Sequence, residues 1–114
     1  MDDQSMKRVM EIEQGYFAKQ QSYAEWKIRG RPASEYMTGF GVVLSDLSRE
    51  QIRSLVSAHI TAEYEHSLAA VRYESQHDYN AAWREDGVAR IHSKWADGYR
   101  FRIEELGPTS TRGA

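Results

Sequence analysis

Two Asp-Gly pairs in the last third of the chain, Asp86-Gly87 and Asp97-Gly98, limit the structures that this third can form. A continuous helix fits the 3.6-residue period of the apolar residues, but it would contain two interior glycines at a cost of about 1 kcal/mol each. A β-hairpin accommodates the second pair, because Gly98 can adopt the left-handed conformation of a three-residue loop. We therefore predict a hairpin, with a helix over 80–106 as the alternative.

The hairpin register places apolar and basic side chains on opposite faces. Trp95 then pairs with Tyr99, and Ile91 pairs with Ile103, on the apolar face. The basic face carries Arg90, His92, Lys94, Arg100 and Arg102. Arg and Lys side chains on such a face bind phosphate with little sequence selectivity, so nucleic acid is a candidate partner. The alternative is that they only protect an exposed strand from aggregation.

A second, shorter basic run lies at the end of the first predicted helix. It contains Lys27, Arg29 and Arg31, and we group it with the basic face as a predicted site for a partner or an anion. The whole chain is nearly balanced in charge, with 15 basic and 17 acidic residues. This balance argues against a protein whose entire surface is built to hold nucleic acid or anionic lipid.

Two long helices are predicted before the hairpin. The first begins at Ser5 and runs to about Ile28. Inside its apolar stripe, Glu13, Gln20 and Lys27 recur at a seven-residue spacing. These long side chains either extend past a helix crossing to reach water or form a polar seam against a partner helix.

The second long helix begins at Ser48, because Ser48 and Gln51 have the spacing of a capping box. Its apolar period continues to about Glu74, with His77 as the alternative end. A short strand or helix near 36–44 connects the two long helices, and a flexible tail covers 108–114.

These elements predict a mainly helical α+β fold in a single domain over 1–107, with a C-terminal β-hairpin. The alternative is an all-α bundle of three or four helices. The charged first residues do not resemble a signal peptide, and the chain has no apolar stretch long enough for a membrane span. We therefore expect a cytoplasmic protein without a membrane partner.

A metal site is the one cofactor site that the sequence suggests, and otherwise we expect no cofactor. The absence of cysteine excludes thiolate ligands and a cysteine nucleophile. His59, Glu63 and His66 would share one strip of the second helix, and Glu13 could complete the set. Glu13 with Glu63-x-x-His66 resembles the spacing of ferritin-like half-bundles, including small subunits that complete their site by oligomerising. The resemblance implies bound Fe, Mn or Zn, although a second ExxH is absent.

Acidic residues follow the second helix and the turn after it. They are Glu63, Glu65, Glu74, Asp78, Glu85 and Asp86. A solvated helix face explains them most simply. The alternative is an acidic surface that imitates nucleic-acid phosphate and occupies a basic groove on another protein.

The sequence contains no nucleophile elbow, phosphate-binding loop, zinc-protease helix or kinase motif, so we do not expect an enzyme. The small size and the many aromatic and Arg residues instead predict an interaction protein that binds and regulates, by inhibition, a larger macromolecular partner. Phage-encoded inhibitors and immunity proteins are examples of this class. A nucleic-acid-binding regulator and a metal-binding half-bundle are the alternatives, and the chain could form a homo-oligomer.

Overall fold

A computed structural model describes residues 3–17 and 20–107, and most of these residues are helical. The α-helices are α1 (Asp3–Phe17), α2 (Tyr23–Ile28), α3 (Arg49–Ser75) and α4 (Tyr79–Leu106), with short 3-10 turns at Ala33–Glu35 and Leu44–Asp46. Extended pairing within the described ranges is limited to one isolated antiparallel bridge between Met37 and Val43. No helix in those ranges is both long and apolar enough to cross a membrane.

The predicted α+β fold with a C-terminal hairpin is wrong, because α4 continues through both Asp-Gly pairs. Each aspartate supports the helix by pairing with an arginine one turn later, Asp86 with Arg90 and Asp97 with Arg100. Gly98 is not a turn residue: a Cβ atom placed there would lie 3.1 Å from the backbone nitrogen of Tyr23 in α2. The glycine therefore allows α2 to pack closely against α4, and the all-α alternative describes the observed bundle-like arrangement.

The first long helix is also shorter than predicted. It ends at Phe17, and α2 begins as a separate helix at Tyr23. Ser22 caps α2 through a capping box with Glu25, a pattern that is already present in the sequence. Ser5 does not cap α1, because α1 begins at Asp3.

The second long helix is confirmed. The Ser48 side chain accepts a hydrogen bond from the Gln51 backbone N–H, and the Gln51 side chain accepts one from Ser48. This helix, α3, extends to Ser75, between the two predicted ends, Glu74 and His77. In the connecting region 36–44, only the Met37–Val43 bridge corresponds to the predicted short strand. The predicted tail over 108–114 lies outside the described residues.

Helices α3 and α4 form an antiparallel hairpin, and α1 and α2 pack against the half of it that holds the core. Residues 71–80 at the other end are all exposed, and the molecule measures 54 × 31 × 21 Å. We call residues 67–86 the arm. The buried core consists mainly of Val9, Met10, Tyr23, Tyr36, Leu44, Ile52, Leu55, Val56, Trp95 and Tyr99.

Alanine substitutions at the two helical glycines should have different effects. A Cβ atom at Gly87 would meet nothing within 4 Å, so Gly87→Ala should raise the free energy of unfolding by about 1 kcal/mol. Gly98→Ala should lack this gain, because the added Cβ presses on the Tyr23 backbone. Urea unfolding of both variants measures the difference, and equal gains would mean that α2 does not pack at Gly98.

Candidate functional site

Four polar side chains meet inside the core where α1, α3 and α4 converge. They are Glu13 of α1, His59 of α3, and His92 and Tyr99 of α4, and each is at most 1 % exposed. Fully buried ionisable groups are rare unless they are paired and hydrogen-bonded. We call these four residues the buried network.

The buried network forms a continuous chain of hydrogen bonds. Tyr99 donates its phenol proton to Glu13 Oε2 over 2.5 Å, and the Gly39 backbone N–H donates to the same oxygen over 3.2 Å. The other carboxylate oxygen, Oε1, lies 2.9 Å from His59 Nε2. On the far side of that ring, His59 Nδ1 lies 2.9 Å from His92 Nδ1. Three helices and the 36–44 segment are therefore joined through one carboxylate and two imidazoles.

The chain of hydrogen bonds ends at Gln14, whose Oε1 lies 3.3 Å from His92 Nε2. The Gln14 amide can accept through its oxygen or donate through its nitrogen, so it can satisfy His92 Nε2 in either tautomer of the ring. Both ring nitrogens of His59 and both of His92 therefore have a polar partner.

The environment of the buried network keeps His92 and Tyr99 in their uncharged forms. Burial, with smaller contributions from the neighbouring His59 and His66, lowers the pKa of His92 to about 4, so its ring is neutral near pH 7. Burial first, and then the Glu13 charge, raise the pKa of Tyr99 well above its ordinary value and keep the phenol protonated. The Trp95 ring stacks on His59 with centroids 6.0 Å apart, which places an aromatic wall beside the imidazole.

A groove of about 770 Å³ lies between α1 and α3 and reaches one end of the buried network. Gln14 and His92 line it from below, and Met6 and Met10 supply apolar lining from α1. His66 also lines this groove, and its Nδ1 lies 3.0 Å from Glu85 Oε2. The groove therefore carries two histidines whose ring orientations are set by neighbouring polar groups.

The predicted metal ligands do not converge in the structure. Glu13 and His59 are in direct contact, but both ring nitrogens of His59 already have hydrogen-bond partners. His66 instead pairs with Glu85, and Glu63 has no hydrogen-bond or ion-pair partner among the described residues. No group of three His, Asp or Glu side chains in the described ranges has the arrangement of a metal site.

The predicted basic face loses its geometry together with the hairpin. His92, which was expected to lie on that face, is buried in the network. Arg90 and Arg100 are exposed on α4, but each forms an ion pair with an aspartate of the same helix. Arg102 pairs with Glu105 over 3.3 Å, and Lys94 is exposed. Acidic neighbours therefore separate these cations along one helix.

The shorter basic run lies at the end of α2 and in the loop after it. Lys27 pairs with Glu105 over 3.3 Å, so it contacts α4 and is no part of a polar seam with Glu13. Arg31 lies over the Trp26 ring, 4.0 Å from its centroid, and pairs with Glu35. Arg29 is exposed.

Reasoning from the sequence found half of the buried network. Glu13 and His59 were identified as candidate metal ligands, His59 from its helical spacing to Glu63 and His66, and Glu13 from its place in the apolar stripe of the first helix. His92 and Tyr99 were not placed with them, because the hairpin register puts these two residues on opposite faces. A helical reading of 80–106 would have placed His92, Trp95 and Tyr99 on adjoining positions of one helix face.

The arm presents a second candidate site, which is exposed and largely apolar. Trp83 is 76 % exposed, Val71 is 62 % exposed and Tyr79 is 60 % exposed. These three side chains line a groove of about 430 Å³ between α3 and α4. Large apolar side chains that cluster on an exposed surface are typical of interaction sites. We call this the arm groove.

Comparisons with protein-family models, with curated proteins and with solved structures find no match to this chain. Its function must therefore be argued from the buried network and the arm groove.

Proposed function

We propose that this chain is an interaction protein that binds a larger protein through the arm and inhibits it by occupying its surface. The exposed aromatic cluster of the arm groove is the observation that carries this proposal. Trp and Tyr are the residue types that most often dominate binding energy in protein interfaces. Neither Trp83 nor Tyr79 is needed to fill the core, since most of each side chain is exposed.

The buried network supports this proposal by holding the base of the arm. His59 of α3 and His92 of α4 are hydrogen-bonded in the core, and His66 pairs with Glu85 about two turns further out, where the arm begins. Helices held at their base in this way lose less conformational entropy when a partner binds. The arm is thus a preorganised binding element.

The charge of the arm favours a different protein over a second copy or a nucleic acid. Residues 67–86 contain two basic residues (Arg72 and Arg84) and four acidic ones (Glu74, Asp78, Glu85 and Asp86). Two arms that pair would bring like charge together, and phosphate would also be repelled. We expect the encounter in the cytoplasm.

Trp83→Ala should weaken binding of the partner by about 2 kcal/mol, or about thirtyfold, because an exposed aromatic anchor is lost. The partner is first captured from lysate by a photo-cross-linking amino acid in place of Asn80, an exposed arm residue. The identified partner is then produced in recombinant form, and calorimetry measures the dissociation constant of its complex with each variant of the chain.

Ile28→Ala is the matched control, because Ile28 is 84 % exposed but lies at the end of α2. This variant should bind the partner within about twofold of the unmodified protein. Equal affinities for the Trp83→Ala and unmodified proteins would refute binding through the arm. Inhibition is tested separately by measuring the activity of the partner with and without the chain, and we expect the chain to lower it.

A further inference from the structure

The lining of the arm groove favours a helical partner over a β-strand. Its lining recurs along α3 at Ser67, Ala70, Val71 and Glu74, and along α4 at Tyr79, Ala82, Trp83 and Asp86. On each helix this is a span of seven residues, about 10 Å at 1.5 Å per residue. The backbone groups in the middle of both helices are bonded internally, so a β-strand could not add to this surface.

The floor and the walls of the arm groove differ in side-chain size. Ser67, Ala70 and Ala82 are small and buried or partly buried, whereas the larger Val71, Tyr79 and Trp83 are exposed. A large apolar side chain of a partner helix can therefore enter between the two helices and contact the aromatic rings on its way in. Apolar side chains at positions i+3 and i+4 of a partner helix both lie near the face of position i, so either can enter the groove.

Carboxylates occupy both ends of the arm groove. The contact between His66 and Glu85 sets the register of the antiparallel helices. Asp86 therefore lies at the end near the core, and Glu74 lies at the end near the tip, where it has no ion pair with a described residue. Asp86 pairs with Arg90, but both side chains are exposed, and such a pair is readily exchanged.

From this arrangement we infer that the partner binds with an amphipathic helix that seats a large apolar residue in the arm groove and places a basic residue at each end. The inference rests on the proposed function and specifies its partner. On the partner helix, Lys or Arg at positions i and i+7 flank large apolar residues at i+3 and i+4. This spacing follows from the two turns of helix that separate the ends of the groove.

The probe is an alanine-based peptide of about 16 residues, with Lys at i and i+7 and Leu at i+3 and i+4. Its binding is measured by fluorescence, because Trp83 is largely exposed whereas Trp95 is buried and Arg31 covers Trp26. We expect the emission to shift to shorter wavelength on binding. A peptide of the same composition with scrambled order should bind about tenfold more weakly.

Three variants separate groove binding from general attraction to an acidic surface. The double change Glu74→Lys with Asp86→Lys should weaken peptide binding about tenfold and favour a peptide in which Glu replaces Lys. Ala70→Leu fills the floor without altering charge and should weaken binding to a similar extent. Glu11→Lys, a charge reversal at an exposed site on α1, should leave binding within about twofold.

The outcomes distinguish this inference from the proposed function. If Glu11→Lys weakens peptide binding as much as the double change does, or if Ala70→Leu has no effect, the inferred binding mode is overturned. A cross-linked partner whose contact element is acidic or non-helical would also overturn it, while binding through the arm would stand. If no protein cross-links to the arm, the proposed function itself fails. A dimer in sedimentation that Trp83→Ala dissociates would assign the groove to a second copy and refute both.

Discussion

Glu13→Ala should lower the free energy of unfolding by about 3–5 kcal/mol, because it removes the shared acceptor of three buried donors and leaves a cavity. The Glu13 carboxylate is fully buried and accepts from His59, Tyr99 and the Gly39 backbone. Alanine leaves these donors without an acceptor in the core and opens a cavity beside them. Urea unfolding followed by far-ultraviolet circular dichroism measures the loss.

Two further substitutions on α1 bracket this result. Glu13→Gln keeps an acceptor for Tyr99 and should cost less than Glu13→Ala, about 1–2 kcal/mol. Glu11→Ala removes an exposed carboxylate of the same helix and should change stability by less than about 0.5 kcal/mol. Equal stabilities of the Glu13→Ala and Glu11→Ala variants would show that the buried network does not hold α1 in place.

The free energy of unfolding should fall by about 2–3 kcal/mol as the pH decreases from 6.5 to 4.5, because His92 is buried as a neutral ring. Its pKa is about 4 in the folded chain and about 6.5 when unfolded. Between these values the unfolded chain binds the proton and the folded chain does not, so acid favours unfolding. His92→Gln cannot titrate, and its stability should depend less steeply on pH.

His77→Asn is the control for this pH dependence. His77 is an exposed histidine in the turn between α3 and α4, with a left-handed backbone that asparagine also adopts. Its replacement should leave the slope of stability against pH unchanged. A slope for His92→Gln as steep as that of the unmodified protein would contradict the role assigned to His92. The pKa values of Glu25 and Glu105 are lowered from about 4.5, so the stability that these carboxylates contribute is lost mainly below this window.

The accuracy of the predictions depended on how local the determining interactions are. The start of α3 was predicted correctly, because Ser48 and Gln51 are three residues apart and bond to each other's backbone. The same reasoning applied to Ser22 and Glu25 would have found the start of α2. The error at α4 has another origin: Gly98 was read as a turn residue and both glycines were counted against a helix, although the 3.6-residue period of the apolar side chains already matched one.

The candidate sites show the same division. Glu13 stood out because it lies inside the apolar stripe of its helix, and His59 stood out because it shares one strip of the second helix with Glu63 and His66. The contact between Glu13 and Tyr99 joins residues 86 positions apart, and no local pattern reveals such a contact. The arm groove was not predicted, because the sequence does not show whether an aromatic residue such as Trp83 is covered by another element or left exposed.

Three features can be read from the amino-acid sequence alone: the long capped helix α3, the absence of cysteine chemistry and the acidic character of the segment that becomes the arm. Each depends only on residue type or on neighbours within one helical turn. Three others are visible only in the folded chain: Gly98 allows the close approach of α2, Glu13 and His92 are buried, and Trp83 is exposed. Burial and close approach depend on which distant segments pack together. The same histidine or tryptophan therefore acquires its role only when α1, α2 and the α3–α4 hairpin meet.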